Sequence, residues 1–477
     1  MNNNSTNRGK KMLKDFGIYS IGVIGNRLIS LLILPFYTYF ISNPADYGYY
    51  DLCLNVCITL IPITTLQMRE SAFRFLLNNH EEESMKKIVT FIVRTLLISL
   101  SVNIITSIVI YVLSDMRFFV LTVSMLISMT LYDVWIQMMR GLYGNNKYVA
   151  CNIALPFLIF FFSVLFVAIL KMGVEGIYLS MILSRVMVLI YGELKISVVR
   201  SYFKFNISVK DVAKDVLYYA MPLIPTTFFT SLILTCNRFF ISTYVSTHAN
   251  GIYAVAYRFT MVMGSFALVF YQTWQESAIL QYHSKDRDAF FSKVFNFFLI
   301  VLTFVLILSS FLIKMNSWII ADEYVEAMKY LYLIGVAQFF SSISSSFFEL
   351  GYQCSKETYR EITSVVLALI VNLILCYLVV PHYGVNGVVV SNIFAYAILV
   401  IYRYIDTRRY FKIEMYRLNY FLLLIIPVGA LLFSLNYGIV IDLISLIVLV
   451  ILLLFITPNE LKKDVLHSIR KKIGSSY

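Results

Sequence analysis

The sequence predicts an all-α integral membrane protein of about 14 transmembrane helices, arranged as two six-helix lobes related by a parallel repeat plus two C-terminal helices. Three observations predict this class. Of 477 residues, 59% are hydrophobic and only 14% charged, against roughly 45–50% apolar content for a soluble domain. Apolar runs of about 20 residues, long enough to cross a hydrocarbon core about 30 Å thick, recur along the whole chain. Lysine and arginine alternate between the connections that join those runs.

The runs fall at about 17–41, 48–66, 88–113, 118–138, 148–170, 174–196, 216–240, 250–272, 290–313, 327–348, 362–380, 384–404, 418–434 and 438–457. The connections between them are too short for a soluble domain. The N-terminal stretch MNNNSTNRGKKMLKDFG is polar and basic and lacks a short apolar segment with a small-residue cleavage site, so it reads as a retained cytoplasmic tail. Six cysteines, mostly inside apolar runs and without CxxC or histidine pairing, read as small core residues, and no metal, cofactor or catalytic set is expected.

The net charge of +12 has to be placed before it is interpreted. With a cytoplasmic N-terminus, thirty Lys and Arg fall in inside segments and three, Arg117, Lys171 and Lys314, fall outside. The positive-inside rule predicts this asymmetry, and one missed or added helix would reverse every later connection and erase it. Both termini are therefore expected in the cytoplasm, and the excess charge is a topology and anionic-lipid signal rather than a nucleic-acid one.

The segments KMGVEGIYLSMILSRVMVLIY (171–191) and HYGVNGVVVSNIFAYAILVIY (382–402) align without gaps at an offset of 211. Upstream, FISNPADYGYYDLCLNV (40–56) and FISTYVSTHANGIYAVAYR (240–258) share a Phe-Ile-Ser exit and a Gly-x-Tyr entry. Helices 1–6 are thus expected to repeat as helices 7–12. The N-terminal lobe spans residues 1–200 and the C-terminal lobe 201–410, with helices 13–14 and a cytoplasmic tail in 411–477. Both copies begin inside, the arrangement transporters use to build a central site between lobes.

Arg27, Arg185 and Arg258 lie about 8–11 residues into their runs, at about 1.5 Å per residue too deep for comfortable snorkelling. Arg238 is shallower. Ser20, Arg27 and Ser30 share a face of the first helix, as do Gly251, Arg258, Ser265 and Gln272 on the eighth. Helix 10 adds a polar stripe of Gln338, Ser342, Ser345 and Glu349. Such residues describe the wall of a hydrated cavity, since a lipid-facing arginine costs at least about 2.5–3.5 kcal/mol; the competing reading is a packing stripe in which each arginine meets backbone or a carboxylate. Pro222 and Pro225 in MPLIP predict a bend or break early in helix 7 and a hinge there. The few acids, Asp51, Asp133, Glu193, Glu349 and Asp442, sit toward helix ends. Arginines with little countercharge favour an anionic substrate, and bidentate guanidinium groups suit phosphates.

Over its whole length the chain resembles the polysaccharide flippases of the multidrug/oligosaccharidyl-lipid/polysaccharide exporter superfamily. The resemblance is carried by LPFYTYFISNPADYGYYDL, by ESAFRF, and above all by YYAMPLIPTTFFTSLILTCNRFFIS followed by NGIYAVAYRF. In capsule and O-antigen repeat-unit flippases an Asp commonly stands where this chain has Asn237. The resemblance implies a two-lobed transporter in the bacterial cytoplasmic membrane that moves undecaprenyl-diphosphate-linked oligosaccharide to the outer leaflet by alternating access, with membrane lipids, a glycan polymerase and assembly proteins as partners. It also implies basic residues of the first and eighth helices in the cavity, matching Arg27 and Arg258. The alternatives are a lipid II flippase, a multidrug exporter of the same superfamily and, least, a membrane glycan polymerase. The exporter would want acids near the midplane; the enzyme would want a large external loop, whereas KMNSWIIADEYVEA, about 14 residues, is the longest.

Overall fold

The computed structural model describes residues 33–77, 79, 81–113, 116–355, 357, 359–434 and 438–456. Every regular element among them is helical. Helix α1 is described over 33–40, and α2 spans Pro44–Thr64. The start of α2 is set by its sequence. Asn43 accepts the Ala45 N–H at 3.0 Å, Pro44 opens the first turn and Asp46 lies where the helix dipole favours a carboxylate. At its other end Leu66 and Gln67 adopt φ of 47° and 53°, and the chain bends by 52° into the short helix Met68–Leu77.

Helix α3 (Glu82–Leu113) exposes Leu97, Ile98, Val102, Ile105, Ile108 and Val109, a continuous apolar face that suits lipid and not water. Helices α4 (Phe119–Tyr143), α5 (Asn145–Ser163, prolonged by a π turn over Val164–Ile169) and α6 (Gly173–Ile196) follow. A short helix, Lys210–Ala220, leads into α7 (Leu223–Tyr244), and the interruption falls at Met221–Pro222, where the two prolines predict it. Then come α8 (Thr247–Gln281) and α9 (Arg287–Met315). Helix α10 is composite, with a 3-10 entry over Asp322–Tyr330, regular helix over Leu331–Ile343, a π turn over Ser344–Phe348 and an end at Ser355. Helices α11 and α12 share the span Tyr359–Thr407 and are parted at Gly384; α13 (Leu422–Ser434) and α14 (Ile439–Ile456) complete the order. Among the described residues nine helices are long and apolar enough to cross a membrane, ten if the bent pair at Gln67 counts as one span. The α11–α12 segment is one of those nine, and α13 and α14 are shorter apolar helices. The chain is a multi-pass membrane protein, and each of the predicted runs meets a helix.

Local geometry repeats with the sequence. Gly173 and Gly384, 211 positions apart, both adopt a left-handed backbone, φ 60° and 55°, at the turn that reverses the chain before α6 and α12. Seven residues on, Ser180 donates to the Gly176 carbonyl at 2.6 Å and Ser391 to the Gly387 carbonyl at 2.8 Å. The same residues build the same turn twice.

By packing, the chain divides after Gly251, one helix later than the boundary expected from the sequence repeat. The first unit is centred on Met68, Ala72, Ile88, Ile92, Trp135, Met139 and Val188, all buried. The second has an aromatic core in which Phe270 stacks on Phe298 at 4.0 Å and Trp274 on Phe347 at 5.7 Å. Polar ties fix α13 and α14 to α9. Asn419 donates to Asn296 at 2.7 Å, and Lys314 reaches both Asp442 and the Phe433 carbonyl at 2.8 Å. Lys314, expected in an outside connection, is instead largely buried in that ion pair.

Candidate functional site

In the first unit a polar seam joins α2 to α7 and to the start of α8. Asp51, Asn55 and Thr59 recur every fourth residue and so share one face of α2. Opposite them, Arg238 Nε donates to Asp51 Oδ2 at 3.1 Å and Arg238 Nη1 to the Leu234 carbonyl at 3.1 Å. Asn55 Nδ2 also reaches Asp51 Oδ2 at 3.2 Å; Thr235 donates to the Asn55 carbonyl at 2.9 Å and meets the Thr59 hydroxyl at 2.7 Å. At the end of the seam Asn250 Nδ2 donates to the Gly48 carbonyl at 2.7 Å. Arg238 is 1% exposed. Expected shallow on a cavity wall, it is closed off from solvent in this structure and held by a carboxylate that the sequence reading left unpaired.

Arg185, on α6, is also buried; it donates to the Met181 carbonyl at 2.9 Å, and the Asp133 carboxylate is close enough to act on its charge. Asp133 itself lies 3.6 Å from Arg69.

In the second unit Arg258 sits half-buried on α8 and Gln338 half-buried on α10. A Cβ placed on Gly264 would lie 3.0 Å from Gln338 Nε2, so α8 and α10 pack tightly there. Deeper in α10 the π turn adds a residue to the helical repeat and breaks the predicted stripe, with Ser342 buried and Ser345 exposed. Beyond it, Glu349 meets Arg403 at 3.4 Å, and the same guanidinium reaches Glu361 at 3.4 Å, Ser364 Oγ at 3.0 Å and the Ser344 carbonyl at 3.2 Å. Gln353 joins Glu349 to Tyr271 and Gln275. Arg403, assigned from sequence to an inside connection, is therefore a buried structural cation.

Arg27, Ser20 and Ser30 lie outside the described residues, as does the side chain of Gln272. Pro222 is exposed and Pro225 half-buried at the break before α7. Among the described residues no group of three or more His, Cys, Asp or Glu could hold a metal.

The sequence reading missed the partners rather than the charges. Each of the five acids it noted has a polar partner. Asp51 pairs with Arg238, Asp133 with Arg69, Glu349 with Arg403 and Asp442 with Lys314. Glu193 accepts from Trp135 Nε1 at 2.9 Å and from the Arg200 N–H at 2.7 Å. A buried acid and a buried arginine at matching depths, as at Asp51 and Arg238, were the available signal.

Helix order, repeated turns and buried polar seams define a multi-pass membrane protein. The chain belongs to the polysaccharide biosynthesis protein family, whose model matches residues 12–274. No curated protein matches it. Among solved structures it is similar to the lipid II flippase MurJ in an inward closed conformation, at TM-score 0.70 and 14% identity, covering 94% of this chain and 99% of that one. It is similar also to an inward-facing multidrug resistance MATE family transporter of the MOP superfamily, at TM-score 0.61 and 12% identity, covering 82% and 98%. A third, a MOP superfamily transporter from Pyrococcus furiosus described by a reversed polarity of its binding pocket, matches at TM-score 0.57 and 14% identity over 83% and 96%. At these identities the likeness establishes the fold.

Proposed function

We propose that the protein carries a glycan linked to a lipid diphosphate, of the undecaprenyl type, from the inner to the outer leaflet of the bacterial cytoplasmic membrane by alternating access. Family membership supplies the polysaccharide context. The observation that carries the substrate charge is the commitment of the five intramembrane acids to partners within the protein. A cation carrier needs a carboxylate at its site, and these are occupied. Arg258 and Arg27 are the guanidinium groups we assign to the diphosphate, because a planar fork matches phosphate oxygens in pairs; Arg185, buried against the Met181 carbonyl in this structure, joins them once the lobe opens. To the glycan or its linkage we assign Ser20, Ser30, Gln272 and Gln338, and to the hinge of α7 Pro222 and Pro225.

A second reading, lipid II as substrate, draws on the fold shared with the lipid II flippase and on the same diphosphate chemistry. Both readings place the two termini and the loop at Lys204 in the cytoplasm and the connection at Ser246 outside. Reconstituted vesicles carrying a fluorescent undecaprenyl-diphosphate oligosaccharide test the proposal. Exposure of that lipid at the opposite leaflet, undiminished by an equal amount of lipid II, is expected; preferential movement of lipid II favours the second reading, and movement of cationic dyes alone overturns both.

A further inference from the structure

The repeat-matched glycines Gly48 and Gly251 meet each other. A Cβ built on Gly48 would lie 2.0 Å from the Thr247 carbonyl oxygen and 2.5 Å from Gly251 N; one built on Gly251 would lie 1.9 Å from the Pro44 carbonyl oxygen and 3.2 Å from Gly48 N. Equivalent positions of two copies touch in this reciprocal way only where a two-fold relation passes between them. The first turns of α2 and α8, which the sequence repeat makes equivalent, therefore cross backbone to backbone at the repeat axis. From that crossing the polar seam runs down α2 and α7: Asn250 on the Gly48 carbonyl, Arg238 on Asp51, Thr235 on Asn55 and Thr59. By the repeat, α2 belongs to the first copy and α7 and α8 to the second.

We propose that this seam is a gate, closed in this structure, which parts at the Pro44 and Thr247 end to let substrate leave, with the Asp51–Arg238 pair as its latch. The inference rests on the flippase reading for what passes and on the seam's chemistry for its opening. Polar groups also hold permanent contacts, as Lys314 and Asp442 do between α9 and α14; what sets this seam apart is that it joins the two sequence copies at their axis. It is built from an ion pair and hydrogen bonds, groups that water can satisfy as well as protein can and lipid cannot. Such a seam is costly to open toward lipid and cheap to open toward an aqueous cavity. On opening, Asp51 and Arg238 exchange each other for water, and Arg238 becomes available to the departing anion. The same geometry explains why packing places α7 with the first unit although the sequence repeat places it with the second.

The test is a Thr59→Cys, Thr235→Cys protein in which the six native cysteines are replaced by alanine. The threonine hydroxyls are 2.7 Å apart, within reach of a disulfide after substitution. Oxidation should lower translocation of the lipid-linked glycan at least tenfold, and reduction should restore it. Equal translocation by the oxidised and reduced forms would show the seam to be static and overturn the gate. A readout independent of substrate separates this from the flippase reading. A single Thr235→Cys should react with a membrane-impermeant maleimide added outside intact cells, and Asp51→Asn should speed that reaction about tenfold. Labelling of Thr235→Cys that Asp51→Asn speeds in a protein that moves no lipid-linked glycan supports the gate and rejects the substrate. No labelling in either background overturns the gate whatever the substrate.

Discussion

Gly251→Ala gives the tightest single-residue prediction. The added methyl group would stand 1.9 Å from the Pro44 carbonyl oxygen, 2.8 Å from Pro44 C and 3.2 Å from Gly48 N. A carbon–oxygen contact settles at about 3.3 Å, so about 1.4 Å must be found. Every atom named belongs to backbone, so no side chain can swing aside, and the room comes only from moving α8 off α2. Overpacking of this kind costs about 2–3 kcal/mol. At 1.4 kcal/mol per factor of ten, the closed contact is depopulated roughly 30- to 150-fold relative to a parted one. The assay is the maleimide labelling rate of Thr235→Cys in the cysteine-free protein, together with its thermal unfolding in detergent, each with and without Gly251→Ala. The exposed neighbour His248→Ala serves as control. Faster labelling, lower thermal stability or both are expected for alanine at 251 and neither at 248. A Gly251→Ala protein identical to its parent in both measurements would refute the argument from close approach.

Lys314→Met should destabilise the second unit by about 3 kcal/mol, because it strands the Asp442 carboxylate, only 7% exposed, without its cation. Adding Asp442→Leu should recover most of that loss in thermal unfolding; a double variant as unstable as the sum of both singles would contradict the pairing. Between α10 and α11, the Tyr410 hydroxyl and then Arg360 hold the Glu357 carboxyl below its ordinary 4.5. A carboxylate so depressed contributes stability above its ordinary value and loses it as pH falls through the lower folded one. The stability gap between the wild type and Glu357→Gln should therefore be full at neutral pH, shrink as pH falls below that ordinary value and vanish once the carboxyl is protonated in the folded protein as well; a gap that does not shrink on acidification would show that charge plays no part.

The helical runs and their order were legible because lipid imposes about 20 apolar residues per span and basic residues mark every second connection. The repeated turns were legible in the matching segments 171–191 and 382–402, which hold Gly173 and Gly384; the start of α2 at Pro44, ahead of the run expected from 48, was not. The π turns at Val164–Ile169 and Ser344–Phe348 were not either, since a one-residue widening of a helix leaves no signature of its own in the residue types. The candidate site was legible as charges and not as pairs. Arg238 and Asp51 are 187 residues apart in sequence, and Arg403 and Glu349 54 apart. Such partners are chosen by helix packing, which no local pattern encodes. Arg403 and Lys314 were read as connection residues because they lie at helix ends, where a cation is usually solvated, yet both are drawn inward by carboxylates.

The most direct test of a carrier for anionic lipid-linked glycan is the translocation of a fluorescent undecaprenyl-diphosphate oligosaccharide by vesicles containing wild type, Arg258→Lys or Arg258→Ala protein at equal amounts. Translocation should fall at least tenfold in Arg258→Ala and recover only in part in Arg258→Lys, since an ammonium replaces a bidentate fork with a point charge. Full translocation by Arg258→Ala would make Arg258 a packing residue and contradict a diphosphate site on α8.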